Sequence, residues 1–390
     1  MKEGWTYKKL GDVATFQRGL TYSRDDEATT SSKCVLRSNN IDLDTSALDF
    51  SEIKYLKEDF EIPKDKMLKK GSIFICMSNG SKQHVGKVAY VNEDLDYAFG
   101  GFMGLIVPNV NKTSPKFIYY FCLSPEYRCL LASVGNGIGI TNLKFSDLSS
   151  FPIPVPPIAE QERIVSELDI LSSIIEKKKE QLKEYDKLAQ SIFYDMFGDP
   201  ITNEKGWEVK KLGEVCTITS SLIDPNQEPY CNQYHVSPAN IISGTGEIFG
   251  CNLAKDDMLI SGKYTFDKGM ILYSKIRPNL NKVAIAPFTG VCSADMYPLL
   301  VKNNANSVYI CHLLLGKHFL EYATNESGRA RMPKINRESL FAYEFPLPPL
   351  SLQQSFAEKI EAIERQKALL QQSISETQTL FDSTMDKYFG

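Results

Sequence analysis

With 390 residues, the chain is long enough for two folded domains and connecting elements, and its 43% hydrophobic and 24% charged residues are typical of a folded soluble protein. No leader opens it and no apolar stretch approaches the roughly 20 residues of a membrane span, so we expect a cytoplasmic protein without membrane contact. The nine cysteines are scattered without metal-ligand spacing, which argues against a metal site and favours reduced thiols.

The net charge of −4 does not by itself favour a nucleic-acid partner, but its distribution is uneven. Residues 1–153 carry 19 basic and 18 acidic side chains, and residues 201–345 carry 15 and 14. The acidic excess is confined to residues 154–200 and 346–390. The two larger segments could therefore each present a basic face, so charge leaves DNA binding open without establishing it.

The chain contains two repeats of roughly 195 residues, and internal repetition is the strongest organisational signal in a sequence. The matching motifs keep their order: GWTYKKLGDV from Gly4 and GWEVKKLGEV from Gly206, GSIFICMS from Gly71 and GMILYSKI from Gly269, GKVAYV from Gly86 and NKVAIA from Asn281, PVPPIAEQE from Pro154 and PLPPLSLQQ from Pro346. The offset changes only in small steps, as expected when loops differ in length.

Residues 1–153 and 201–345 each predict a mixed α/β domain, so the expected fold class is α+β. Short apolar runs at Ile73–Ile75 and Met270–Tyr273, bounded by Gly, Asn, Ser and Pro, predict strands. Aromatic and aliphatic residues at helical spacing predict one helix from Phe117 to Leu131 and its counterpart from Val308 to Tyr322.

Each domain is followed by a proline-rich hinge and a long helix, within residues 154–200 and 346–390. Apolar residues recur at alternating steps of four and three, from Ile164 to Met196 and from Phe356 to Tyr388, without interior Gly or Pro. This seam predicts coiled-coil packing of the two helices, each about 50 Å long over the seam. Lys178 and Lys367 interrupt the seam, and we expect them to extend to its edge rather than to set its register.

An antiparallel arrangement of the helices would place the two domains at opposite ends, related by a pseudo-two-fold axis. Two similar domains at a fixed separation suit a ligand that repeats along a line. DNA presents the same groove face every ~34–36 Å, so helices of this length could hold two DNA-binding domains about one turn or slightly more apart.

These features together resemble the specificity subunit of type I restriction–modification systems, over essentially the whole chain. The resemblance is carried by the GWxxKKLG opening of both repeats, the GMILYSKIRPNLNKVAIA run from Gly269, and the PVPPIAEQERIV hinge from Pro154. The second hinge departs from the usual Glu-Gln with Gln353-Gln354, which we expect to matter little for the fold.

The resemblance implies two target-recognition domains that each recognise one part of a split, asymmetric double-stranded DNA target. It also implies that the helices act as a molecular ruler and that the subunit has no catalytic activity. The partners implied are two modification methyltransferase subunits, which bind the S-adenosylmethionine, and often two translocating restriction subunits.

Candidate DNA contacts are polar side chains in two loops of each domain, because such side chains match phosphates and base edges. In the first domain they are Ser78, Asn79, Lys82, Gln83, His84 and Lys87 in one loop, and Asn142 and Lys144 in the other. In the second they are Ser274, Lys275, Arg277, Asn279, Asn281 and Lys282 in one loop, and Arg329, Arg331 and Lys334 in the other. An ordinary solvated loop remains the alternative for each residue.

Enzymatic alternatives find little support. The sequence has no N-P-P-Y-like methyltransferase motif and no P-loop, and its four histidines, His84, His235, His312 and His318, form no metal or triad pattern. Gly135–Gly139 lacks the third glycine of a dinucleotide loop.

Two alternatives remain for the function of the chain. One is an adaptor whose domains bind proteins. The other is the recognition part of a larger enzyme, although the start at Met1 and the helix reaching Gly390 lead us to expect a complete chain.

Overall fold

The computed structural model of the chain describes residues 4–134, 142–218, 221–328 and 332–390. Its contacts form two compact units: the first comprises Met1–Lys177 with Ile374–Gly390, and the second comprises Lys178–Ser373. Each unit contains one repeat of the mixed domain and part of both long helices. The domain boundaries expected at 153/154 and 345/346 stay predictions.

The first repeat contains eleven strands and four short α-helices in its described residues, followed by one long α-helix. The strands are β1 Thr6–Lys9, β2 Ala14–Arg18, β3 Glu27–Ala28, β4 Lys33–Leu36, β5 Lys54–Leu56, β6 Met67–Leu68, β7 Ile73–Cys76, β8 Val88–Tyr90, β9 Leu95–Phe99, β10 Met103–Pro108 and β11 Pro152–Val155. The helices are α1 Leu10–Val13, α2 Pro115–Leu123, α3 Pro125–Val134, α4 Phe145–Ser150 and the long α5 Ile158–Phe197.

The second repeat follows the same plan within its described residues. Its strands are β12 Glu208–Lys211, β13 Cys216–Thr217, β14 Leu222–Ile223, β15 Tyr234–Val236, β16 Lys263–Phe266, β17 Ile271–Ser274, β18 Val283–Ile285, β19 Gly290–Cys292, β20 Met296–Val301 and β21 Glu344–Leu347. Its helices are α6 Leu212–Val215, α7 Ser307–Leu315, α8 Lys317–Glu326, α9 Arg337–Ala342 and the long α10 Leu350–Phe389.

Equivalent sheets build the two repeats. A four-stranded antiparallel sheet has the order β2-β10-β7-β8 in the first and β13-β20-β17-β18 in the second. A second, mixed sheet has the order β3-β5-β4-β9-β6 in the first repeat, with β4 and β9 parallel, and β14-β16-β19-β15 in the second, with β15 and β19 parallel. The mixed α/β repeat predicted from the sequence is confirmed.

Strand β7 shows why its sequence is apolar without alternation. Ile73 and Ile75 lie in one buried cluster, whereas Phe74 and Cys76 lie in another on the opposite face of the strand. A strand covered on both faces has no polar side and reads as a continuous apolar run. The counterpart β17 divides its residues between two clusters in the same way. The strands predicted at these two positions are confirmed.

The helix predicted from Phe117 to Leu131 is instead two helices, α2 and α3, with an extended residue at Ser124 between them. Pro125 explains the break, because the residue before a proline is disfavoured in the helical region. The counterpart in the second repeat is also broken, at the extended Gly316 between α7 and α8.

Both proline-rich hinges are strands rather than free connectors. β11 pairs antiparallel with β1, and β21 pairs with β12. A buried glutamine then fixes the start of each long helix. Gln161 Nε2 donates to Pro156 O at 2.8 Å, while its Oε1 accepts from Ser114 N at 2.8 Å. Gln353 repeats this contact with Pro348 O at 2.7 Å, so the departure at Gln353-Gln354 keeps the residue that makes these bonds.

The long helices α5 and α10 pack antiparallel to each other. In the first unit Arg163 approaches Tyr388, with Nη2 to Oη at 3.0 Å. In the second unit Lys178 Nζ donates to Ser373 Oγ at 2.6 Å. Each helix has 40 residues, which corresponds to about 60 Å. No helix in the described ranges combines the length and apolar character that crossing a bilayer requires.

The expectation for the seam lysines was wrong for Lys367. Its side chain is only 3% exposed, and Nζ lies 2.9 Å from Asp186 and 3.2 Å from Glu364. Burial opposes its charge, but these two carboxylates outweigh that effect and raise the pKa of Lys367. Lys367 thus lies inside the seam and is bound to α5 through Asp186, a position suited to setting the register of the helix pair.

Candidate nucleic-acid interface

The two candidate loops of each domain lie side by side. In the first unit Ser78 forms an antiparallel β-bridge with Asn142, and in the second unit Ile276 forms the equivalent bridge with Lys334. We call residues 78–84 with 142–144 the first loop cluster, and residues 274–282 with 332–334 the second loop cluster. Each pair is separated in sequence by more than 50 residues, so the fold rather than local sequence creates the cluster.

The same backbone bonds hold both clusters. Leu143 N donates to Met77 O at 2.7 Å, and Ile335 N donates to Lys275 O at 3.0 Å. In the second cluster Arg277 N also donates to Pro333 O at 2.8 Å. The backbone bonds of the two clusters are equivalent, but their side chains differ. The two repeats therefore display different polar groups at equivalent positions.

Several predicted contact residues display their side chains to solvent. They are Gln83, Asn142 and Lys144 in the first unit, and Arg277, Asn279 and Lys334 in the second. Amides can pair with adenine, and arginine with guanine, while lysine suits phosphate. These six side chains are free of burial and are the strongest candidates for nucleic-acid contact.

Other candidates in the first unit hold the protein's own backbone. Lys87 Nζ donates to Ile41 O at 2.7 Å, and burial lowers the pKa of Lys87. Asn79 Nδ2 donates to Ser38 Oγ at 2.7 Å. Nδ1 of His84 is buried without a hydrogen-bond partner in the described structure, and desolvation lowers the pKa of this histidine. Lys87 and Asn79 therefore position the residues around the cluster.

The second unit uses the same device. Lys282 Nζ donates to Pro238 O at 2.6 Å, and Asn281 Nδ2 donates to Leu315 O at 2.8 Å. Ser274 is 3% exposed and donates from Oγ to Ile276 O. Lys275 is 8% exposed, with Nζ 5.1 Å from the centre of the Tyr297 ring, and burial lowers its pKa. Ser274 and Lys275 are buried, and the polar ends of the half-buried Asn281 and Lys282 are bonded within the protein, so these four side chains support the loop.

Some predicted residues lie outside the described structure. They are Arg329 and Arg331, the side chain of Lys82, and the Gly135–Gly139 segment. Their contribution to the interface stays a prediction from the sequence.

Two residues beside the first loop cluster were missed. Arg18 and Phe102 line a cleft of about 780 Å³ together with Asn79, Asn142 and Lys144. Phe102 was overlooked because an aromatic residue before an apolar strand resembles core, yet it is 73% exposed. No sequence signal distinguishes it from the buried aromatics of the same domain.

Within the described residues, no group of three or more His, Cys, Asp or Glu side chains could hold a metal ion. The histidines make separate structural contacts. His235 Nδ1 lies 2.7 Å from Asp257, His318 Nε2 lies 3.1 Å from Asp199, and the His312 ring packs edge-on against Phe356. His312 therefore has a packing role in the core of the second unit.

Comparison with known proteins places both repeats in one family. The family model of the type I restriction modification DNA specificity domain matches residues 2–184 and 204–378. The StySPI specificity subunit of Salmonella potsdam is 25% identical over 93% of this chain and 82% of its own length. The EcoDI specificity subunit of Escherichia coli is 28% identical over 59% of this chain, and the alignment spans 58% of that relative.

Solved structures agree at the level of the fold. A chain from a study of complex assembly and conformational transition in the type I R-M system has a TM-score of 0.58 and 18% identity, covering 100% of this chain and 98% of its own length. The type I restriction–modification S subunit of M. genitalium has a TM-score of 0.56 and 15% identity, covering 99% and 96%. The adaptor alternative is not favoured, because the family model matches both repeats. This chain belongs to the type I restriction modification DNA specificity domain family and contains two copies of its domain.

Proposed function

We propose that this chain is a specificity subunit that recognises a bipartite, asymmetric DNA target, with one domain for each half-site. The main support for this proposal is the pair of equivalent loop clusters. The Ser78–Asn142 and Ile276–Lys334 β-bridges join the two loops of each cluster. The two clusters have the same backbone arrangement but display different polar side chains, so each suits a different half-site. The names of the relatives support the same assignment.

The proposal includes the partners of the chain. Two modification methyltransferase subunits would bind it, together with two translocating restriction subunits in complexes that also cleave DNA. The S-adenosylmethionine would bind in the modification subunits and not in this chain. The helix pair formed by α5 and α10 would set the distance between the half-sites.

We also propose that the chain has no catalytic activity of its own. Highly purified chain should transfer no methyl group from S-adenosylmethionine to DNA and should hydrolyse neither DNA nor ATP. Cofactor-dependent methylation that disappears when one residue of this chain is changed would overturn this part of the proposal.

Co-expression with the product of a neighbouring methyltransferase gene, followed by methylome sequencing, tests the recognition function. We expect methylated sites to share a motif of two specified segments separated by an unspecified gap of fixed length. Methylation without a motif, or at one undivided motif, would contradict the assignment of one half-site to each domain.

A further inference from the structure

The side chain of Phe102 is exposed to solvent, and its backbone is hydrogen-bonded to the first loop cluster and the residue before it. Its carbonyl oxygen accepts hydrogen bonds from Met77 N at 2.9 Å and Ser78 N at 3.1 Å. Met103 N donates to Gly100 O at 2.8 Å and closes the turn that carries it. Single exposed apolar residues are common on protein surfaces, so exposure of this ring alone indicates nothing. Its fixed position beside the cluster is the informative observation.

The cleft beside Phe102 has the chemistry of a nucleic-acid site. Arg18 and Lys144 supply positive charge, Asn142 supplies an exposed amide, and none of the described residues that line this cleft carries a carboxylate. Cations match phosphates and amides match base edges, so the ring lies among groups that suit DNA.

The second repeat carries different chemistry at the same position. Asp295 precedes β20 as Phe102 precedes β10, and its carbonyl oxygen accepts from Lys275 N at 3.0 Å, the bond equivalent to that between Phe102 and Met77. Its side chain is also exposed. A carboxylate can accept from the cytosine amino group, whereas a phenyl ring offers an apolar contact of the kind that the thymine methyl group accepts. This position therefore varies between the repeats in the manner expected of a base-contacting residue.

We propose that Phe102 contacts the C5 methyl group of a thymine in the half-site recognised by the first domain. That methyl group is the apolar feature of a base edge in the major groove, and the turn holds the Phe102 backbone beside the cleft that contains Asn142, whose amide suits the same edges. The inference deepens the proposed function and rests on it. Phe102 is thus a specificity-determining residue of the first domain, without a counterpart of the same chemistry in the second.

The test uses the assembled complex with its modification subunits and a duplex that carries its methylated motif. Each thymine of the first half-site is replaced in turn by deoxyuridine, which lacks the methyl group. For one thymine we expect the affinity to fall about fourfold, the equivalent of ~0.8 kcal/mol for one buried methylene-sized group. The Phe102→Ala complex should bind the parent duplex at least that much more weakly and should lose no further affinity with deoxyuridine at that position.

Val110→Ala is the matched control, because Val110 is 69% exposed and follows the opposite end of β10. It should bind the thymine and deoxyuridine duplexes as the parent chain does. If Phe102→Ala leaves affinity for the target unchanged, or if deoxyuridine weakens both complexes equally at every position, the inference is wrong. If the parent complex recognises no bipartite target, the proposed function is wrong, and the inference about Phe102 is wrong with it.

Discussion

The ammonium of Lys87 lies 2.7 Å from the carbonyl oxygen of Ile41, and in the second repeat Lys282 bonds the carbonyl oxygen of Pro238, at the opposite end of the corresponding turn. Both lysines belong to loops that were selected from the sequence as DNA contacts. Their bonds instead fix the segments around two short 3-10 helices, Ser38–Asn40 and Pro238–Asn240. A lysine engaged in this way contributes to stability, which distinguishes it from an exposed phosphate contact.

Lys87→Met should therefore lower the free energy of unfolding by about 1–3 kcal/mol, because it removes a charge-assisted hydrogen bond and leaves a carbonyl without its partner. Urea denaturation of the whole chain measures this effect. Lys144→Ala is the comparison, since Lys144 is exposed and its loss should reduce the salt dependence of DNA binding with little change in stability. If instead Lys87→Met left stability unchanged and reduced the salt dependence of DNA binding, Lys87 would be the phosphate contact.

Replacing Arg329, Arg331 and Lys334 together with Ala should weaken binding of the assembled complex to its target. Loss of a base contact should cost ~1–3 kcal/mol and relax one position of the second half-site, whereas loss of a phosphate contact should lower affinity for all sequences. Titrations at several salt concentrations separate the two effects. Lys317→Ala is the control, because the Lys317 side chain is exposed at the start of α8. Wild-type affinity, salt slope and specificity in the triple variant would exclude this loop from the interface.

The stability of the chain should fall in mild acid because of His312. Burial, and next the charge of Lys367, lower the pKa of His312 to about 4. The unfolded chain, with an ordinary histidine pKa near 6.5, then binds more protons than the folded chain between these values. The stabilisation is fully present above about pH 6.5 and is lost as the pH falls towards 4. Urea midpoints across this window should vary less in His312→Gln, and an unchanged pH profile would contradict the assignment.

The sequence predicted the features that local pattern determines. The seam from Ile164 to Met196 specifies a long helix because its spacing is repeated many times, and the apolar run at Ile73–Ile75 specifies a buried strand. The β-bridge between Ser78 and Asn142 joins residues far apart in sequence, so no local pattern contains it. The orientation of a lysine depends on such distant neighbours, which is why Lys87 and Lys144 were indistinguishable before the structure.

The proposal that the long helices set the distance between the half-sites can be tested by lengthening both helices at the sequence boundary between the two compact units. Four residues inserted after Lys177 in α5, with four more after Ser373 in α10, interrupt no contact within either unit. Each insertion adds roughly 6 Å, or one to two base pairs of DNA at ~3.4 Å each. A four-residue insertion is a stutter that locally unwinds a coiled coil, so some activity should be lost. Methylome sequencing should show both half-sites unchanged and a longer gap between them. An unchanged gap in an active complex would contradict the proposal that the helices set this distance.

Methylome sequencing of two cluster variants beside the parent chain tests the central claim most directly. One variant carries Asn142→Ala and Lys144→Ala in the first loop cluster, and the other carries Arg277→Ala and Asn279→Ala in the second. Each should relax or weaken recognition of only one segment of the bipartite motif, a different segment for each variant, with the gap unchanged. If either variant alters both segments, or if both variants alter the same segment, the two domains do not recognise separate half-sites.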